Sequence, residues 1–352
     1  MDDTTGDSTS DTTAGVTGDT SGTLDEALQR LHATGPEFDG WLSNHGPMAV
    51  ESLVRGGQAP RVHRWLDHYE RRLDDMPALR SAIRAADWQS ALGDPRRLAD
   101  WIAYFERAVA ERPWRDVLAE WWPRLLPGIA AGATHPVIRV GHAVRTLLST
   151  EPTGPRLAEL AHGLGYWAAR HQPLPPLAAL PSAPDAAAAL DAVPRVADQS
   201  GGIVARLDQL TGLPAWASGP VDPDTARDRL AELVTAAVHR YATHAHGNPV
   251  MLVHAATAPN AVLRVLPALP RELWAESLAA AWAASAAVTA AYAPAAEAGF
   301  QRAGDLSPEE LFARAAAHGD DHAIKFADTA LDVGGDVALA AALRALTLIE
   351  PV

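Results

Sequence analysis

Apolar residues along the chain recur at intervals of three and four, the period of an amphipathic helix, and no convincing run alternates at two. Leu24, Leu28 and Leu31 make one stripe, and Leu98, Trp101, Tyr104, Phe105 and Val109 make another. Leu230, Leu233, Val234, Ala237, Val238 and Tyr241 share a third face, with Arg229, Glu232 and Arg240 opposite. Start and stop signals bracket the stripes. Thr23-Leu24-Asp25-Glu26 reads as a capping box, Asp222-Pro223 as a cap followed by proline in the first turn, and Ser307-Pro308-Glu309-Glu310 as a helix start that Gly319 closes. A last helix is expected from about Asp336 to Ile349. The predicted fold class is all-α: a multi-helix globular domain over residues 23–352.

Three stretches break the pattern. Residues 1–22 are Thr, Asp, Gly and Ser with almost nothing to bury, and are expected to form a disordered acidic tail. Residues 173–195 are Pro- and Ala-rich and read as a long loop or a linker. A long uncharged run, Ser277 to Ala296, is about the length that spans a bilayer. It is mostly alanine between Glu276 and Glu297, so it is expected to be a buried helix and the protein cytoplasmic. No fixed repeat of a helical solenoid is present.

The net charge of −14, about −9 without the tail, argues against a nucleic-acid or anionic-membrane partner. The absence of cysteine excludes disulfides, thiolate metal sites and cysteine nucleophiles. No GxGxxG, P-loop, GxSxG or HExxH motif is found, so redox chemistry would need a metal or an external cofactor. The basic residues are 28 arginines and a single lysine, Lys325. Codon bias accounts for scarce lysine; it also marks Lys325 as a candidate for chemistry closed to arginine.

Of the 14 histidines most need no special account, but five lie in unusual settings: His45, His135, His142, His254 and His322. Singly, each is more often structural than a ligand. His322 and Lys325 are three residues apart and so share one helix face. An ammonium beside a divalent cation is repelled, so Lys325 belongs at a metal site only as a neutral amine or an N-carboxylate. The alternative is an ion pair of Lys325 with Asp321 or Asp328. His135 and His142, seven residues apart, would be separated by about 10.5 Å along a helix, too far to share one ion easily. Pro136 disfavours helix at His135, which would then sit at the helix entrance; which of the two is a ligand stays open. Lys325, His142 and Arg139 are the candidate catalytic side chains. Trp101, Trp121, Trp122, Trp167, Trp216 and Trp282 are candidates for a flat aromatic pocket, with core packing as the commoner role.

Asn44-His45-Gly46-Pro47-Met48, Gly132-Ala133-Thr134-His135, Gly141-His142-Ala143-Val144-Arg145, Tyr166-Trp167-Ala168-Ala169-Arg170, His254-Ala255-Ala256-Thr257-Ala258-Pro259 and His322-Ala323-Ile324-Lys325 resemble, in order, the questin oxidase-like family. The likeness runs from about residue 24 to 349. It implies an all-helical fold and oxidative cleavage of aromatic polyketides, notably anthraquinones, at a non-haem iron held by four histidines and a carboxylated lysine. Lys325 matches that lysine, and four of His45, His135, His142, His254 and His322 would be ligands. The family has also been described as NADPH-dependent Baeyer–Villiger oxygenases. With no nucleotide fingerprint here, Fe(II) using O2 directly is the expectation, with NADPH entering through a separate reductase. Two other readings stay open: a metallohydrolase built on the carboxylated lysine with Asp320, Asp321 and Asp328, and a helical binding protein without an active site.

Overall fold

The structure, a computed structural model, describes residues 22–217, 219 and 221–352; the acidic segment expected to be disordered lies outside the described residues, Gly22 apart. Helices dominate from Thr23–His32 to Gly335–Leu348, and among the described residues strand is confined to two short pairs. The helix starts follow the local chemistry. Asp222 accepts from the Thr225 N–H at 3.0 Å, and Ser307 and Glu310 exchange both hydrogen bonds of a capping box. Such caps are worth about 1 kcal/mol each. Gly319 closes its helix at φ 84°. The first helix departs from expectation: Gly22, at φ 74°, takes the cap position and Thr23 is already helical.

One continuous apolar core runs from Leu24 to Ile349. Its hub is helix Pro249–Val265, which packs on helices His135–Ser149, Pro223–His244, Trp274–Tyr292 and Asp321–Val333. The stretch Pro249–Ala268 is long and apolar enough to cross a membrane, yet 72% of that window is buried inside the protein. Pro259 lies inside this helix and cannot donate to the Ala255 carbonyl one turn back. The Ser285 hydroxyl of helix Trp274–Tyr292 donates to that carbonyl instead, at 2.6 Å. The uncharged alanine run thus supplies a buried helix and the hydroxyl that mends its neighbour. Close approach elsewhere rests on Gly141, where an added Cβ would come within 2.5 Å of the Ala261 Cβ. This contact draws together the helices that carry His135 and His254.

Residues 173–195 hold a short strand, Ala178–Leu180, paired in parallel with Gly212–Pro214, and a helix, Ala186–Asp191, that packs on Pro223–His244. The six tryptophans singled out above are all buried, in the edge-to-face groups Trp101–Trp121, Trp122–Trp167 and Trp216–Trp282. They build core.

Candidate metal centre

Four helices each bring one imidazole to a common point. His45 is the residue before helix Gly46–Arg55, where the Asn44 side chain accepts from the Gly46 N–H and the His45 N–H donates to the Tyr69 hydroxyl at 2.6 Å. His135 is the first residue of helix His135–Ser149, as Pro136 suggests. It is aimed by three successive left-handed residues, Gly132 (φ 51°), Ala133 (φ 55°) and Thr134 (φ 68°). For alanine and threonine that conformation costs roughly 1–3 kcal/mol each, strain typical of a functional turn. His254 lies inside helix Pro249–Val265, fully buried. His322 and Lys325 stand on helix Asp321–Val333, capped by Asp320.

Ligand nitrogens of His45, His135, His254 and His322 lie within 4.8 Å of one another. Two nitrogens across one ion, each at about 2.1 Å, would be about 4.2 Å apart, so the set lies within reach of a single ion after small shifts. The partners of Nδ1 fix the tautomers. Nδ1 of His45 and of His322 face Asp321 Oδ1 at 2.6 and 2.9 Å. Nδ1 of His135 faces the Gly132 carbonyl, and that of His254 the Met251 carbonyl at 3.1 Å. For His45, His135 and His254 these hydrogen bonds call for an N–H on Nδ1 and leave Nε2 as a lone pair. His135 Nε2 and His254 Nε2 then confront each other at 2.8 Å, and His45 Nε2 is buried without a partner. Facing lone pairs repel; a cation between them reverses the sign.

Lys325 is 1% exposed, and its Nζ has no hydrogen-bond partner. The ion pair its spacing allows is absent. Asp321 serves His45, His322 and, through Oδ2, Arg72 at 2.8 Å. Asp328 is bound by Arg55, Arg145 and Arg264. Burial pushes the Lys325 amine down to about 8, against the opposing pull of Asp321 and Asp320. Burial likewise holds His45 at about 3, helped by Lys325, and His135 and His254 well below the ordinary imidazole value. Burial would lower His322 too, but the Asp321 carboxylate outweighs it and raises that group.

His142 and Arg139 stand apart from this point, and neither borders the cavity described below. His142 Nδ1 meets Glu51 Oε2 at 2.7 Å. Glu51 also accepts from Arg145, which reaches Asp328; Arg264 ties Asp328 to Asp332. Glu51, His142 and Asp328 would suit a cation by residue type alone, but the arginines already occupy these carboxylates. The network joins the same four helices that carry the imidazoles, six to ten residues farther along each. It fixes their mutual register. Asp328→Asn leaves three guanidinium groups one counter-charge short and should cost about 3 kcal/mol. Urea unfolding at neutral pH would measure it, and a loss under about 1 kcal/mol would show that the network contributes little. Arg139 makes a two-pronged contact with Glu159, at 2.6 and 2.8 Å.

A cavity of about 1170 Å³ opens in front of the imidazoles, and all four line it. Typical ligand pockets hold about 300–1,000 Å³, so a multi-ring molecule fits. Its wall is largely apolar, with Phe38, Leu42, Leu174, Ile203, Met251 and Tyr292 among its residues. Part of the proline-rich stretch, Pro173 to Pro175, thus forms a wall of the site. Lys325 does not line the cavity; it stands on the buried side. Sequence reasoning missed Arg72 and Tyr69, which carried no signal among 28 arginines and an ordinary helical stripe.

The questin oxidase-like family profile matches residues 42–330, which include all four clustered imidazoles and Lys325. The match points to an oxidoreductase that acts on polyketides. No curated protein matches the chain.

Proposed function

We propose, from the premise that the chain belongs to the questin oxidase-like family, that it is a non-haem iron oxygenase that oxidises or cleaves an anthraquinone- or anthrone-type polyketide with O2. The observation that carries this reading is the convergence of imidazoles whose Nδ1 atoms are all held by acceptors, so that their lone pairs meet beside a large apolar cavity. His45, His135, His254, His322 and Lys325 would hold the iron. Bound there, it would supply Lewis acidity and the redox capacity that oxygen chemistry demands.

Charge supports an N-carboxylate on Lys325. Asp320 and Asp321 with Arg72 leave one negative charge at the site. An ammonium and a divalent ion would bring the total to two positive charges in a buried place; an N-carboxylate and the same ion bring it to zero. The amine forms it by attacking CO2 as the neutral species: an N–C bond forms, a C=O electron pair moves to oxygen, and one proton leaves. With the amine at about 8, roughly a tenth of the molecules are neutral at pH 7. Asp321 and the carbonyls of Gly132 and Met251 keep the rings oriented, and the apolar walls exclude water from the substrate.

The hydrolase reading keeps only Asp320 at the cavity, since Asp328 is tied up by arginines and Asp321 by imidazoles and Arg72. Oxygen consumption by iron-loaded protein with a hydroxyanthraquinone, abolished by chelation, is the expected result. Turnover of a phosphoester or amide with no oxygen uptake would establish the hydrolase instead, and no metal and no turnover a binding protein.

A further inference from the structure

Among the described residues three arginines line the cavity, and two of them are each held by two hydrogen bonds. Arg170 forks onto Glu37, through Nε at 2.7 Å and through NH2. Arg206 also lies over an aromatic ring, Tyr292 at 4.3 Å, but it donates to two carbonyls, Gly201 and Ala291, at 3.3 and 2.9 Å. Arg72 differs. It ends the short turn Glu70–Arg72, and its guanidinium lies over the Tyr69 ring at 4.0 Å and the Phe38 ring at 5.5 Å. Its NH2 donates to Asp321 Oδ2 at 2.8 Å, and its side chain is 41% exposed. The same Asp321 holds the Nδ1 atoms of His45 and His322 through its other oxygen. A flat cation is thus stacked on aromatic rings, tied at one corner beside the imidazole cluster, and open along the cavity.

We propose that Arg72 binds a carbonyl or phenolate oxygen of the aromatic substrate, and that this contact selects oxygen-bearing rings and sets which edge faces the imidazoles. The chemistry is specific. Guanidinium offers five N–H donors in a rigid fork and accepts nothing, so it rewards an oxygen with in-plane lone pairs and gives a bare hydrocarbon edge nothing. The stacking on Phe38 and Tyr69 holds the fork in place before the ligand arrives, which reduces the ordering cost of binding. Apolar walls elsewhere bind the rings without regard to their substituents.

The inference rests on the aromatic-substrate reading, and its test works on metal-free protein so that loss of metal does not enter. 1,8-Dihydroxyanthraquinone and anthracene are each titrated into the full chain at fixed cosolvent, with tryptophan fluorescence as readout. Arg72→Gln should raise Kd for the dihydroxyanthraquinone by about 10- to 100-fold, the loss expected of a charged hydrogen bond, and leave Kd for anthracene within about twofold. Arg72→Lys, which keeps the charge without the fork, should weaken only the oxygenated ligand by a smaller factor, and it carries the test if the glutamine variant does not fold. Unchanged binding of the dihydroxyanthraquinone, or equal weakening of both ligands, overturns the proposal. If the unaltered protein binds neither compound, the aromatic-substrate reading fails and the proposal with it.

Discussion

Lys325→Arg should give a folded protein that purifies almost without metal and consumes no oxygen. Arginine conserves the positive charge, so a residue serving only as a cation would tolerate the exchange. Asp321 and Asp320 favour its charge from a distance, but no group is in contact with it: Nζ has no hydrogen-bond partner, and Asp321 and Asp328 are both engaged elsewhere. A guanidinium cannot take up CO2, stays ionised, and would sit buried beside the ion it must help to hold. Metal affinity should fall by at least about 10²-fold, the upper range for losing even an outer partner of a metal ligand. Far-ultraviolet circular dichroism should be unchanged, and metal content by mass spectrometry gives the direct readout. Lys325→Glu, which restores an anionic oxygen donor, should recover part of the loss. Full iron content and full oxygen uptake in Lys325→Arg would remove Lys325 from the site.

His254→Ala should abolish the stabilisation that metal gives to the folded chain. His254 is fully buried, and its Nε2 meets His135 Nε2 at 2.8 Å, so its removal takes away one of two lone pairs that face the same point. A ligand that binds only the folded state stabilises it by about 2.7 kcal/mol at one hundred times its Kd. The wild-type chain should therefore melt several degrees higher with added iron under anaerobic conditions, and His254→Ala should melt at one temperature with or without it. His142→Ala supplies the contrast. It disrupts the contact with Glu51, lowers stability, and should keep the metal-dependent shift intact. If His142→Ala lost the shift and His254→Ala kept it, the assignment of ligands would be reversed.

The helical fold was legible because helix chemistry is local. Asp222, Ser307 and Gly319 act within a turn of their own positions, and their roles follow from the sequence alone. The first helix shows the limit: Thr23 and Glu26 have capping-box spacing, but Gly22 can adopt a left-handed φ and takes the cap. The spacing of His135 and His142 argued that one helix would not easily offer both to a single ion, and the structure places the two in separate clusters. Which one faces the cluster depended on the Gly132-Ala133-Thr134 turn and on the Glu51 carboxylate of another helix, and neither leaves a mark in local sequence. Arg139, a catalytic candidate from its sequence setting, instead pairs with Glu159 of a separate helix, a partner local sequence does not reveal. Arg72 was hidden by abundance, whereas Lys325 was conspicuous by being alone among the lysines.

The central claim is that His45, His135, His254, His322 and Lys325 together hold one iron. A crystal of the purified protein, measured on both sides of the iron absorption edge, tests it most directly. The account predicts one anomalous peak per chain, in contact with all four imidazoles, and density for a carboxylate continuing from Lys325 Nζ towards it. A peak at Glu51, His142 and Asp328 instead, or none, with Lys325 ending in a bare ammonium, would contradict it.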